Sequence, residues 1–332
     1  GAENLRLARA LADFWKLRGY LREGRERARI ALDRSDTGSP TALRAEVLLS
    51  AGLLAELQSD YTEARARYEE CRALWGQLGN QAGLANVLNS LGALTWNQGR
   101  YEEARSLYEE SLALSKALGN RRMMAIALVN LAEGARLAGD LATARARLEE
   151  SLALSRELGN RRGMAIALCM LGYVIAGMKQ PTTAQIYYDQ ALALFRESGE
   201  KEGLMRLFCY RALSALDQGE LAEAIALFVE SLRIARELGD QKYIAPGLEG
   251  LARAAFAQGD LRRTTLLMGA AECLRHVIGI PLDPEECQVF AHHRAVIRTE
   301  LGEAMFAEEW TRGKVTPLEQ ILAYALGEGT AG

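Results

Sequence analysis

Several residue types and patterns are scarce in this chain, and each scarcity excludes a class of protein. Six prolines in 332 residues favour long helices over a loop-rich fold. No apolar run approaches eighteen residues, so no membrane-spanning helix is expected. The five cysteines are scattered and contain no C-x-x-C pair, which predicts reduced thiols in a cytoplasmic protein. A net charge of −3 argues against a nucleic-acid-binding surface.

Glycine, by contrast, recurs with a fixed period. One series is spaced by forty residues, and a second lies halfway between its members, with Lys179 at the one position that lacks glycine. The two series are Gly79, Gly119, Gly159, Gly199, Gly239 and Gly279, and Gly99, Gly139, Gly219 and Gly259. A period of 20–50 residues is typical of solenoid proteins, in which each repeat packs only on its neighbours.

Residues 85–118 illustrate the repeating unit. Apolar and small residues recur three and four apart on both sides of Gly99, which predicts two amphipathic helices joined by a tight turn. Gly92 would let the paired helix approach closely, and Gly99 would end the first helix in the left-handed conformation. Gly119 would end the second helix, and Asn120 would cap the next one.

The pattern L-G-x(6)-G-x-Y-x-x-A-x(3)-Y resembles the tetratricopeptide repeat, whose usual period is 34 residues. The HEAT repeat has a similar period to this chain but lacks the Gly-x-Tyr-x-x-Ala turn. The resemblance implies an all-α, right-handed superhelical solenoid of about seven long, forty-residue hairpins. The first hairpin would turn at Gly19, and residues 38–40 (Gly-Ser-Pro) would form a turn without a domain boundary.

The periodic pattern ends near Gly279, so we predict a solenoid over residues 4–279 and a helical C-terminal capping segment over residues 280–328. Asp283 would cap a new helix that has Pro284 at its first position and Glu286 at its third and runs to about Leu301. Shorter helices are predicted over 303–311 and 318–326. Terminal units of a solenoid need a polar outer face.

The repeats and the C-terminal segment together resemble the sensor arm of the bacterial signal-transduction ATPases with numerous domains (STAND), including LuxR-type and maltose-type transcriptional regulators. The residues that carry this resemblance are Met268–Glu272, Leu274-Arg275, Ile278-Gly279, Pro281-Leu282, Leu301-Gly302, Phe306, Trp310, Gly313, Leu318-Glu319 and Ala323–Leu326. The resemblance implies a sensor for a ligand or partner, joined to a nucleotide switch and an output module. Neither module is expected in this chain, because no G-x-x-x-x-G-K-[ST] loop and no helix-turn-helix are present.

Candidate chemistry is sparse, so we expect no enzyme, no metal site and no cofactor. The adjacent pair His292 and His293 would point to different sides of a helix, and His292 has only Cys287 nearby, whereas a closed zinc site needs four ligands. No Gly-x-Ser-x-Gly nucleophile motif occurs.

The predicted binding surface is a concave groove lined by the first helix of each hairpin. Groove-facing positions in tetratricopeptide repeats lie two before, two after and five after the leucine of the Leu-Gly pair. These positions supply the candidate binding residues Asn89, Trp96, Glu133, Arg136, Cys169, Tyr173, Cys209, Glu249, Arg253 and Phe256. Aromatic residues and arginine dominate interface energetics. Trp96 and Phe256 have the alternative of packing between neighbouring hairpins.

Two functions remain open at this point. The first is a non-enzymatic sensor or scaffold that binds a peptide, a protein or a small effector in the groove and relays occupancy to an attached module. The second is a self-assembly module that forms homo-oligomers without a diffusible ligand. The stretches 111–128 and 151–168 are near-identical, yet the repeats to which they belong differ mainly at groove positions. A repeated framework with a variable groove favours a surface specialised for recognition.

Overall fold

A computed structural model describes residues 2–18, 20–35 and 41–329, which form seventeen α-helices and no strand. Two compact units span Gly1–Gly134 and Ala135–Gly332. The helices are α1 (Ala2–Arg18), α2 (Leu21–Asp33), α3 (Ala42–Glu56), α4 (Tyr61–Gln77), α5 (Gln81–Asn97), α6 (Tyr101–Ala117), α7 (Arg121–Leu137), α8 (Leu141–Glu157), α9 (Arg161–Gly177), α10 (Pro181–Ser198), α11 (Lys201–Asp217), α12 (Leu221–Leu238), α13 (Gln241–Ala257), α14 (Leu261–Ile278), α15 (Pro284–Leu301), α16 (Glu303–Val315) and α17 (Leu318–Ala325).

Consecutive helices pack as first-helix and second-helix pairs in six places, α1 with α2, α3 with α4, α5 with α6, α9 with α10, α11 with α12 and α13 with α14, which confirms the predicted all-α hairpin architecture. Gly99 ends α5 with φ 75°, a left-handed conformation that glycine adopts without a Cβ penalty. The side chain of Asn120 accepts a hydrogen bond from the backbone N–H of Met123 at 3.2 Å, as a helix cap does. Lys179 adopts the same left-handed conformation, with φ 60°, although it carries a Cβ.

The glycine of the Leu-Gly pair allows close packing inside a hairpin. A Cβ placed on Gly92 would lie 2.5 Å from the ring of Tyr108 on the paired helix. Gly172 has the same relation to Tyr188, at 2.6 Å. The repeated glycine and tyrosine therefore form one packing contact between the two helices of a hairpin.

The predicted turns at Gly19 and at residues 38–40 lie outside the described residues. Within the described part of the chain, no helix is both long enough and apolar enough to cross a membrane.

The C-terminal helices of the second unit pack in two different ways. Helix α16 crosses α14 with backbone against backbone, since a Cβ on Gly269 would lie 2.5 Å from the carbonyl oxygen of Trp310. Helix α17 packs on α14 and α12. The predicted end of α16 at Thr311 is wrong, because the helix continues through Gly313, which lies against the backbone of Leu266, and ends at Val315.

Helix α15 starts as predicted. The carboxylate of Asp283 accepts a hydrogen bond from the backbone N–H of Glu286 at 2.8 Å, and Pro284 occupies the first turn. The helix ends at Leu301, before Gly302, whose φ is 83°. Its side chains contact the first helices of the second unit rather than only the end of the stack, as described below.

Candidate functional site

The candidate residues of the first unit are partly engaged in packing. The side chain of Asn89 accepts a hydrogen bond from Asn130 at 2.9 Å. Trp96 is half-buried and meets the ring of Tyr101 edge-on, with 4.7 Å between ring centroids. It also packs against a buried cluster that includes Tyr108. Trp96 therefore contacts the second helix of its own hairpin, and Glu133 is half-buried in the same unit.

In the second unit, a cation and two rings form a column. The guanidinium of Arg136 lies 5.0 Å from the centre of the Tyr173 ring. Tyr173 in turn stacks on Tyr210, with centroids 4.6 Å apart and ring planes within 3° of parallel. Arginine over an aromatic face is a favourable electrostatic contact that strengthens when it is desolvated, and the Arg136 side chain is only 12% exposed. The predicted groove positions of α7 and α9 thus meet in space.

The two candidate cysteines of the second unit are buried. Desolvation raises the pKa of the Cys169 thiol to about 12 and that of the Cys209 thiol to about 12. A thiol is a nucleophile and a metal ligand only as the thiolate, so both groups are chemically inert near neutral pH. Cys169 and Cys209 are part of the packing beneath the surface.

Glu249 is committed to an internal ion pair. Its two carboxylate oxygens accept hydrogen bonds from Nε and Nη2 of Arg275 on α14, the second of them at 2.6 Å. Both side chains are largely buried, at 7% and 15% exposure. Arg275 also donates to the carbonyl oxygen of Pro281 at 3.1 Å, which holds the segment that leads into α15. This geometry makes Glu249 a structural residue of the second unit.

Three candidate residues contact α15 directly. Nη1 of Arg253 donates to Glu286 at 3.0 Å. The ring of Phe256 stacks on His293, with centroids 3.9 Å apart and planes 19° from parallel. Arg136 lies 3.6 Å from the carboxylate of Glu285. We call the surface formed by Arg136, Tyr173, Arg253 and Phe256 the first-helix face; α15 contacts its Arg136, Arg253 and Phe256.

Two ionisable groups of α15 are perturbed where they meet this face. Desolvation raises the pKa of Glu286 to about 7, although the positive charge of Arg253 opposes the shift. Desolvation lowers the pKa of His293 to about 4, with Arg253 and His292 adding repulsion. In the structure, one carboxylate oxygen of Glu286 and Nδ1 of His293 are buried without a hydrogen-bond partner. Burial of both groups opposes their charged forms.

Sequence reasoning missed the α15 half of this surface. Glu286 was recognised only as a helix-capping residue. Glu286, Phe290, His293 and Ile297 recur at intervals of four, three and four, a spacing that predicts one buried stripe. The spacing carries no information on which surface covers the stripe, and that surface lies more than thirty residues away along the chain.

Other parts of the described chain are weaker candidates for a functional site. No group of three or more His, Cys, Asp or Glu side chains in the described residues is arranged to hold a metal ion. A cavity of about 310 Å³ opens between α10, α11 and α12. Its polar side chains already pair with each other, as in the Arg211–Glu223 ion pair at 2.7 Å and the Tyr188–Ser214 hydrogen bond at 2.8 Å.

Comparisons with known protein families agree with the repeat geometry. The tetratricopeptide-repeat family model matches residues 43–117 and 123–197. A model of anaphase-promoting complex subunit 5 matches residues 185–253, which lie within α10–α13. A comparison with curated proteins gives no significant match.

Solved structures share the fold at low identity. The apo form of RapI is 15% identical with a TM-score of 0.66, and the alignment covers 82% of this chain and 97% of that one. A Rap protein complexed with Competence and Sporulation Factor is 16% identical with a TM-score of 0.66, covering 97% of this chain and 86% of that one.

A third structure is the Rap conjugation gene regulator of the plasmid pLS20, in complex with the Phr* peptide. It is 16% identical with a TM-score of 0.58, and the alignment covers 80% of this chain and 76% of that one. Such identities establish the fold alone. The chain is a tetratricopeptide-type helical solenoid, as the sequence predicted, and its resemblance to the signal-transduction ATPases stays a prediction.

Proposed function

We propose that this chain is a non-enzymatic regulatory module that binds a peptide or a segment of a partner protein on the first-helix face. The observation that carries the proposal is the column of Arg136, Tyr173 and Tyr210, together with Arg253 and Phe256, which like Arg136 reach α15. Arginine and tyrosine are the side chains that most often supply the large energetic contributions in protein interfaces.

The structural neighbours support a binding role for this fold. One Rap protein was solved with Competence and Sporulation Factor, and another with the Phr* peptide. We propose the same class of ligand here, in a cytoplasmic setting. We further propose that occupancy of the face acts on an attached switch or output module, as the resemblance to sensor arms of signal-transduction ATPases implies.

The proposal is tested with a displayed peptide library selected against the full chain. The affinities of the selected peptides are then measured by calorimetry for wild type, Tyr173→Ala and Tyr187→Ala. Tyr187 is the matched control, because it is also half-buried but lies on the second helix α10. We expect Tyr173→Ala to weaken binding about tenfold, since an interface anchor contributes roughly 1.4 kcal/mol or more. Tyr187→Ala should leave binding nearly unchanged.

Equal affinities for wild type and Tyr173→Ala would refute the site. Self-association is the outcome that would favour the assembly alternative. It would show as a concentration-dependent increase in sedimentation coefficient for the chain alone, with no peptide selected on the first-helix face.

A further inference from the structure

We propose that α15 is an exchangeable occupant of the first-helix face, and that the natural partner is an acidic amphipathic helix that takes its place. Such a helix would present adjacent carboxylates to Arg136 and Arg253 and a planar ring to Phe256. This inference rests on the proposed function, because it names the chemistry of the segment that binds.

Helix α15 buries a narrow stripe, of which Glu286 and His293 contact Arg253 and Phe256 of the face. Only Phe290, His293 and Ile297 are buried, and Glu286 is mostly buried beside them. The exposed residues of the helix are Pro284, Glu285, Cys287, Gln288, Ala291, His292, Ala295, Arg298, Thr299 and Glu300. Because two of the four stripe residues are ionisable, the stripe gains less from burial than an apolar stripe of equal size would gain.

The helices around α15 are fixed more firmly than α15 itself. Helix α16 is locked on α14 by the close backbone contacts at Gly269 and Gly313. Gly279 and Gly302, both with positive φ, flank the segment that contains α15. The close contacts between α14 and α16 involve no residue of α15, so α15 can leave the face while α14 and α16 stay packed.

The first-helix face carries two arginines, Arg136 and Arg253, whose positive charges complement an acidic helix. The Arg253 side chain is 17% exposed and bridges Asp217 on α11 and Glu286 on α15, at 3.2 and 3.0 Å. The Arg136 side chain is 12% exposed, whereas its partner Glu285 is 70% exposed. The arginines are thus built into the face, while the carboxylate that meets Arg136 comes from the surface of an accessory helix. A different helix with the same adjacent carboxylates could make these contacts.

The test uses a fluorescent peptide with the sequence of residues 283–298, with Cys287→Ser to prevent oxidation. It is titrated into the full-length wild type and into a Glu285→Arg/Glu286→Arg variant, whose own α15 is repelled by Arg136 and Arg253. Glu300→Arg is the matched control, because Glu300 lies on α15 but faces solvent. We expect the double variant to bind the peptide roughly tenfold or more tightly than wild type or control, since its face is vacated.

Two further arms test the recognition chemistry. Adding Arg253→Glu to the double variant should abolish binding of the peptide. An Arg136→Glu/Arg253→Glu protein should instead bind a peptide that carries Glu285→Arg and Glu286→Arg. Hydrogen exchange on α9, α11 and α13 reports whether each variant keeps the fold. If the double variant does not fold, Phe290→Ala replaces it as the variant that weakens α15 docking.

Equal peptide binding by wild type and a folded double variant, or no effect of Arg253→Glu, would overturn the inference. The proposed function can fail separately. If library-selected peptides bind through Tyr173 while α15 keeps its exchange protection, the face binds partners but α15 is not exchanged. If the α15 peptide behaves as expected but no library peptide binds, α15 docks reversibly and the partner-binding role fails.

Discussion

Glu249→Gln tests whether this carboxylate supports the second unit or serves a ligand. The substitution keeps the size of the side chain but removes the charge that faces Arg275. Both side chains are largely buried, so the guanidinium would be left in a poorly solvated place with a weaker partner. The hydrogen bond from Arg275 to the carbonyl oxygen of Pro281 remains in the variant.

Removing one partner of a buried ion pair typically costs about 3–5 kcal/mol. We expect about 3 kcal/mol for Glu249→Gln, because glutamine still accepts one hydrogen bond from the guanidinium. The control is Glu230→Gln, whose carboxylate pairs with Arg233 at 2.6 Å on an exposed surface, with side chains 50% and 52% exposed. Exposed pairs contribute about 0–1 kcal/mol, so the control should change stability little.

The assay is urea denaturation followed by circular dichroism, with hydrogen exchange to assign the loss to α13 and α14. The second readout is needed because repeat proteins can unfold one part at a time. Equal destabilisation by Glu249→Gln and Glu230→Gln would refute the structural role. The combined change Glu249→Leu/Arg275→Met should recover most of the stability, because apolar residues of similar size avoid burying a lone charge.

Three further expectations follow from the geometry. Gly92→Ala should destabilise the chain by about 1–3 kcal/mol, because the added methyl group overpacks against Tyr108. Gly76→Ala should stabilise it by up to about 1 kcal/mol, because the site is open and alanine favours the helix more than glycine does. Equal effects of the two variants in urea denaturation would contradict this packing. Lys179→Gly should raise the free energy of unfolding by about 0.5–1 kcal/mol, because glycine adopts the left-handed conformation of residue 179 without strain. A lower free energy of unfolding in urea for this variant would argue against that reasoning. In the His293→Gln variant, hydrogen-exchange protection of α15 should increase as pH falls from 7 to 4.5, because docked α15 favours protonated Glu286. In the Glu286→Gln variant, protection of α15 should decrease as pH falls from 6.5 to 4, because docked α15 favours neutral His293, and identical pH profiles of the two variants would count against both assignments.

Local patterns predicted the hairpins and several details of their ends. The forty-residue glycine spacing located the turns, because a left-handed residue is a local requirement that glycine meets. The hydrogen bond from Glu286 to Asp283 was predictable for the same reason, since donor and acceptor lie within one helical turn.

The contacts that the candidate residues make could not be predicted from the sequence to the same extent. Trp96 occupies a groove-type position, yet its ring also packs within the first unit. Glu249 occupies another such position and pairs with an arginine 26 residues away. Periodicity identifies which face of a helix a residue occupies, but it does not identify the partner that the side chain finds there. The placement of α15 depends on side-chain contacts such as Glu285 with Arg136, which no local pattern encodes.

Hydrogen exchange of the full chain, with and without a library-selected peptide, tests partner binding on the first-helix face most directly. We expect the peptide to slow exchange in α9 and α13, which carry Tyr173, Arg253 and Phe256, and to speed exchange in α15. Protection confined to second helices such as α10 and α12, with α9, α13 and α15 unchanged, would contradict partner binding at this surface.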